Sequence, residues 1–181
     1  DIYAMGGRPI LALAILGWPV DKLSTSLANE VIRGARDIAA DCGITIAGGH
    51  SIDIPEPVFG LSVNGLVDTK HLKRNSTLEK GDVLLLTKPL GIGIHTTAMK
   101  QQKLKPEHEG LATQVMVHVN KVGALLGKED AVHAITDVTG FGLAGHLLEM
   151  LTPRNLAARI DFNALPLLSG TREYLEEQIF P

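Results

Sequence analysis

Short runs of continuous apolar residues alternate along this chain with longer stretches whose apolar positions recur every three or four residues. The most continuous run is Pro9–Leu16 (Pro-Ile-Leu-Ala-Leu-Ala-Ile-Leu), closed by Gly17-Trp18-Pro19. Its length and boundaries predict a buried strand. Residues Ser24–Asp41 carry Leu27, Val31, Ala35 and Ile38 at helical spacing, with Ser24 or Ser26 placed as N-cap and Gly43 as stop. Ile44–Ala47 reads as a short strand running into Gly48-Gly49-His50-Ser51, and Val58–Val67 as another strand.

The pattern then breaks. His71–Lys80 is polar and charged, the best linker candidate, with Lys73 and Arg74 expected as solvated charge. Beyond it the chain predicts a strand at Val83–Thr87, a turn at Lys88–Gly93 opening a helix, and one helix over Gly110–Leu126 with Met116 as core filler. Strands at Val132–Ile135 and Ala157–Phe162 and helices at Phe141–Leu151 and Thr171–Gln178 complete the reading. Strands and helices alternate throughout, so the class is α/β or α+β.

A chain of 181 residues holds one good core or two modest domains. The net charge of -3 argues against a nucleic-acid surface. No apolar run reaches the roughly 18–20 residues of a membrane helix. Cys42 is the only cysteine, which excludes an internal disulfide and fits a reducing compartment, so a cytoplasmic location is expected. Asp1–Gly7 has the form of a helix's last turn with a glycine stop, and Ile179-Phe180-Pro181 closes without a polar tail. The chain is therefore expected to be an internal part of a longer protein, lacking its N-terminal and C-terminal portions.

Candidate chemistry centres on Asp137, set in the apolar, glycine-rich stretch Ala134–His146. A carboxylate in dry surroundings needs a partner, a hydrogen bond or a metal. Its position before a helix start suits phosphate and metal chemistry, or a helix cap, and the residues alone leave both open. Gly48-Gly49-His50-Ser51 offers close backbone approach and polar donors for a phosphate, or simply a tight turn. Gly91-Ile92-Gly93 lacks the third glycine of a dinucleotide fingerprint, since Thr96 stands there, and reads as a structural turn beside a solvated Lys88. His146 reads as a core histidine or one that supports a ligand from behind, not as a ligand itself, and His71, His95, His108, His118 and His133 scatter without forming a constellation.

Taken together, Asp1–Gly7, Ala14–Pro19, Ala47–Asp53, Pro55-Glu56-Pro57, Thr87–Gly93 and Thr136–Leu143 resemble the selenophosphate synthetase (selenide, water dikinase) family, in order and over essentially the whole chain. The resemblance implies an aminoimidazole-ribonucleotide synthetase-like two-domain fold. On it, residues 1–70 are the second part of an N-terminal ATP-binding and dimerisation domain, 71–80 a linker, and 81–181 the first part of a C-terminal α/β domain. It implies synthesis of selenophosphate from selenide and ATP, releasing AMP and orthophosphate, by a homodimer. Asp1 matches a carboxylate that binds Mg2+ and ATP, Asp137 a second Mg2+ ligand, and Gly49, His50 and Ser51 an ATP-contacting segment. The family's catalytic Cys or selenocysteine and its Lys are expected upstream of Asp1; Cys42 does not match. The 181-residue piece alone is thus expected to be inactive. The rival readings are a sister ATP-using enzyme of the same fold, of the purine-pathway synthetase or thiamine-phosphate kinase type, and a non-catalytic nucleotide-binding or dimerisation module.

Overall fold

A computed structural model describes all residues, 1–181. They form two compact units: Asp1–Asn75 with Lys121–Asp137, and Ser76–Asn120 with Val138–Pro181.

The first unit is built on strand β1 (Arg8–Trp18), which lies between β2 (Thr45–Asp53) and β3 (Val58–Leu66) in the order β2-β1-β3. β2 runs parallel to β1 and β3 antiparallel. A parallel neighbour requires a crossover, and helix α1 (Thr25–Asp41) supplies it. Ser24 caps α1, its Oγ accepting from the Leu27 amide at 3.4 Å. The helix buries Ala28, Ala35 and Ala39. Ala14, Leu16 and Phe59 share a cavity with Ala35 and Ala39, which identifies the covered face of the sheet. On the other face Leu13 and Ile15 remain 45% and 47% exposed. β1 is therefore paired on both edges but has a helix over one face only, less cover than its continuous apolar run predicts.

Residues Lys121–Asp137 pack with this unit, although Ser76–Asn120 and Val138–Pro181 on either side of them belong to the second. Helix α4 (Val122–Leu126) lies against the short 3₁₀ helix Tyr3–Met5. The approach needs glycine. A Cβ on Gly127 would stand 2.6 Å from the Gly6 Cα, and one on Gly123 would stand 2.8 Å from the Tyr3 carbonyl carbon. Lys121 Nζ pairs with Asp41 Oδ1 at 2.8 Å, and Lys73 Nζ donates to the Glu129 carbonyl at 2.9 Å. Lys73 is buried, so it is a structural clamp, not solvated charge. The Lys73 amide also donates to the Met5 carbonyl at 3.2 Å, so this part of the expected linker is anchored.

The second unit contains helices α2 (Ile92–Lys100), α3 (Leu111–Val117), α5 (Gly142–Leu151) and α6 (Thr171–Glu176). The helix expected over Gly110–Leu126 is two helices, with His118 extended between them at φ -73° and ψ 115°. Lys88 Nζ donates to the carbonyls of Val115 and His118, satisfying acceptors at the end of α3, and α4 packs in the other unit. Lys88 thus serves the fold, and burial lowers its pKa. The strands expected at Val83–Thr87, Val132–Ile135 and Ala157–Phe162 do not form. A strand exists through a partner's backbone groups, and none of these stretches is aligned with one. The only pairing near them is an isolated parallel bridge between Leu90 and Leu167. Phe162–Ala164 is instead a 3₁₀ turn started by Asp161, whose carboxylate accepts from the Asn163 amide at 3.0 Å.

Candidate functional site

Gly48–Ser51 lies inside β2, not in a turn after it. Gly48, Gly49, His50 and Ser51 stand opposite Leu13, Ala14, Ile15 and Leu16 of β1. The register shifts just before, between Ala12 and Leu13, where Ala47 is the extra residue. At this bulge the backbones crowd: a Cβ on Gly49 would lie 2.9 Å from the Ala14 carbonyl carbon. The glycine therefore has a packing reason of its own. Gly49, His50 and Ser51 border an open cavity of about 530 Å³ beside α1, where they are joined by Arg36. Arg36 is invisible to motif reading, because it is one polar position of an amphipathic helix; only the packing of α1 on the sheet brings it to the cavity that Gly49 and Ser51 border, while the His50 side chain, in register with Ile15, lies on the other face.

Asp1 is exposed at the foot of the Tyr3–Met5 turn. That turn is held by Gly6 in left-handed conformation at φ 77°, by α4 and by Lys73. Tyr3 itself is pushed up to a pKa of about 12, first by burial, then by its hydrogen bond to Cys42 and the nearby Asp41 charge.

Asp137 is half-buried and ends the first unit. Helix α5 begins at Gly142 with Phe141 as its N-cap and no capping side chain, so neither Asp137, Thr136 nor Thr139 caps it. The Thr139 hydroxyl is instead 3.1 Å from His146 Nε2. His146 is buried and lies 3.7 Å from Glu149, a core histidine as expected.

No group of three or more His, Cys, Asp or Glu side chains is arranged to hold a metal ion. Asp1 and Asp137 amount to two carboxylates. Both belong to the first unit, and Mg2+ commonly takes one or two carboxylates and completes its shell with phosphate oxygens and water. Two carboxylates do not fit a metal held by protein alone. Gly91 is a structural turn, as expected: it sits at φ 115° with Thr171 pressed against it.

Two family models match the chain: "AIR synthase related protein, N-terminal domain" over residues 1–67 and "AIR synthase related protein, C-terminal domain" over residues 79–178. A selenide, water dikinase of Aeromonas hydrophila subsp. hydrophila is 57% identical over 181 residues, all of this chain and 52% of that protein. One from Escherichia coli O157:H7 is 56% identical over 176 residues, 97% of this chain and 51% of that protein. The chain thus spans about half the length of the curated relatives it matches. Among solved structures, the hydrogenase maturation protein HypE in complex with ATP superposes with a TM-score of 0.85 at 18% identity, over 100% of this chain and 55% of that one. The thiamine-monophosphate kinase of Stenotrophomonas maltophilia K279a gives 0.82 at 22% identity, over 99% of this chain and 60% of that one. These two likenesses show a shared mixed α/β fold. With family models matched on both sides of the polar segment that follows β3, the chain belongs to the AIR synthase related protein family.

Proposed function

We propose that this chain is the part of a selenide, water dikinase that carries half of an ATP and Mg2+ site. The enzyme makes selenophosphate from selenide and ATP and releases AMP and orthophosphate. The observation that carries this reading is the 57% identity to a selenide, water dikinase across all 181 residues. The sister kinase reading rests on likenesses of 18–22% identity, which extend to the fold alone.

Asp1 and Asp137 hold Mg2+, which when bound neutralises phosphate charge next to the carboxylates. Gly49, His50 and Ser51 contact ATP, with Arg36 lining the cavity that Gly49 and Ser51 border. Phosphoryl transfer depends chiefly on positioning and electrostatic stabilisation, which is what these groups supply. Residues 1–70 belong to the N-terminal domain, 71–80 connect, and 81–181 begin the C-terminal domain. The protein acts as a homodimer in the cytoplasm. The sheet face carrying Leu13, Ile15, Ile52 and Val58, each 44–54% exposed, is the surface a second copy covers. No helix is long and apolar enough to cross a membrane.

The test compares a protein of the relatives' length with the 181-residue chain. Selenide-dependent AMP formation is expected from the first and none from the second. ADP as product would move the assignment to the sister kinases. In the longer protein, Asp137→Asn should lower Mg2+-dependent ATP turnover at least a hundredfold with the fold retained. Near-normal turnover in that variant would remove Asp137 from the site.

A further inference from the structure

Two histidines that no motif links, His95 of α2 and His108 just before α3, meet in the second unit. Both are buried, at 1% and 6% exposure. Each ring is held by a hydroxyl through one nitrogen: Thr171 Oγ1 lies 3.3 Å from His95 Nε2, and the Tyr174 hydroxyl lies 2.8 Å from His108 Nδ1. His95 Nδ1 is fully buried and makes no hydrogen bond of good geometry, although the Ser169 backbone lies close enough to act on the ring. A buried polar atom in that state calls for a ligand or a water. Both rings border a cavity of about 40 Å³, and so do the thioether residues Met99 and Met116.

This arrangement has the features of a metal site. A ligating imidazole usually donates its other N–H to a second group, which fixes its tautomer and orientation; Thr171 and Tyr174 stand in those places. Two imidazoles on one ion, with metal–nitrogen bonds of about 2.0 Å, have centroids roughly 5–6 Å apart. The observed separation is 5.7 Å. His95 and Met99 lie four apart on α2, hence on one helix face. Imidazole with thioether is a soft donor set, and soft donors select Cu(I) over hard divalent ions. Burial, with His108 adjacent, lowers the His95 pKa and so favours the neutral, ligating imidazole.

We propose that this cavity binds one Cu(I) ion through His95, His108, Met99 and Met116, apart from the nucleotide site. The alternative occupant is a single water, for which the space also suffices.

The test is titration of the 181-residue chain with Cu(I) kept reduced by ascorbate, against a chromophoric Cu(I) chelator. One equivalent should bind, with nitrogen and sulfur neighbours in the X-ray absorption spectrum, and Cys42→Ser should retain it. His95→Gln should weaken binding at least tenfold, and Met116→Leu several-fold. Met116 is half-exposed, so Met116→Leu keeps the fold and decides the matter where His95→Gln does not fold. Lack of competition with the chelator, loss of binding in Cys42→Ser, or unchanged binding in Met116→Leu would overturn the proposal and leave water as the occupant.

Discussion

The two units solve the same problem, burying apolar surface without orphaning polar groups, in different ways. The first does it with a sheet. β1 exchanges backbone hydrogen bonds with a neighbour on each edge, and α1 covers one face. The second has no sheet. Its fully buried Ala98, Tyr174 and Ile179 sit with a polar aromatic knot of His95, His108, Tyr174 and Thr171. Tyr174 meets both imidazoles edge-on at 5.4 and 5.5 Å, and its hydroxyl also accepts from the Lys105 amide at 2.9 Å. Meanwhile Val83 and Leu85, as apolar as any residue of β1, stand 81% and 80% exposed. An apolar run is a capacity for strand formation; a partner in register turns it into one.

The largest test of this contrast is a charge placed in each kind of apolar run. Ala12 is fully buried between Ile46 and Val63, so Ala12→Asp leaves an unpaired charge in the sheet, at a cost of about 3–5 kcal/mol. Leu85→Asp should change stability by no more than about 0.5 kcal/mol, as at other exposed positions. Chemical denaturation of both variants decides it, and equal losses would mean that Val83–Thr87 is a buried strand after all. Next, Gly49→Ala should lose about 1–3 kcal/mol through overpacking against Ala14. Gly60→Ala, whose added Cβ meets Ile15 Cγ2 at an ordinary 3.7 Å, should not. An unperturbed Gly49→Ala melt would leave nucleotide contact as the sole reason for that glycine.

In the second unit, Tyr174→Phe should cost about 1–3 kcal/mol, since it strips a partner from both His108 and the Lys105 amide. The smallest effect is pH dependence. His95 holds its proton less tightly when folded, because burial and His108 disfavour the cation. Below its ordinary pKa of about 6.5 the unfolded chain binds more protons than the folded one. Stability from this group is therefore full above that pH and declines as pH falls toward the lower folded value. Protection factors of α2 and α6 amides, corrected for the intrinsic pH dependence of exchange, should fall across that window, and less so in His95→Gln.

Much of this was legible along the chain, and the reason differs by region. Ser24 as the cap of α1, and β1 and β3 within a residue or two, follow from local pattern and capping chemistry. Gly48–Ser51 was legible as a glycine-rich segment but not as a strand, because its bulge arises only from alignment with Ala12 and Leu13. Lys73 and Lys88 read as surface charge; both found backbone carbonyls from distant residues, which no local rule foresees. The pairing of His95 with His108 was hidden for the same reason.

The sequence alone determined the family, the helices with strong periodicity, and Asp137 as a carboxylate out of place, because these rest on local composition and ordered motifs. Tertiary structure decided which apolar runs became strands, which unit received Lys121–Asp137, and that Asp137 caps nothing. Those outcomes depend on partners far away in the chain, and hydrogen bonds and close packing are properties of pairs.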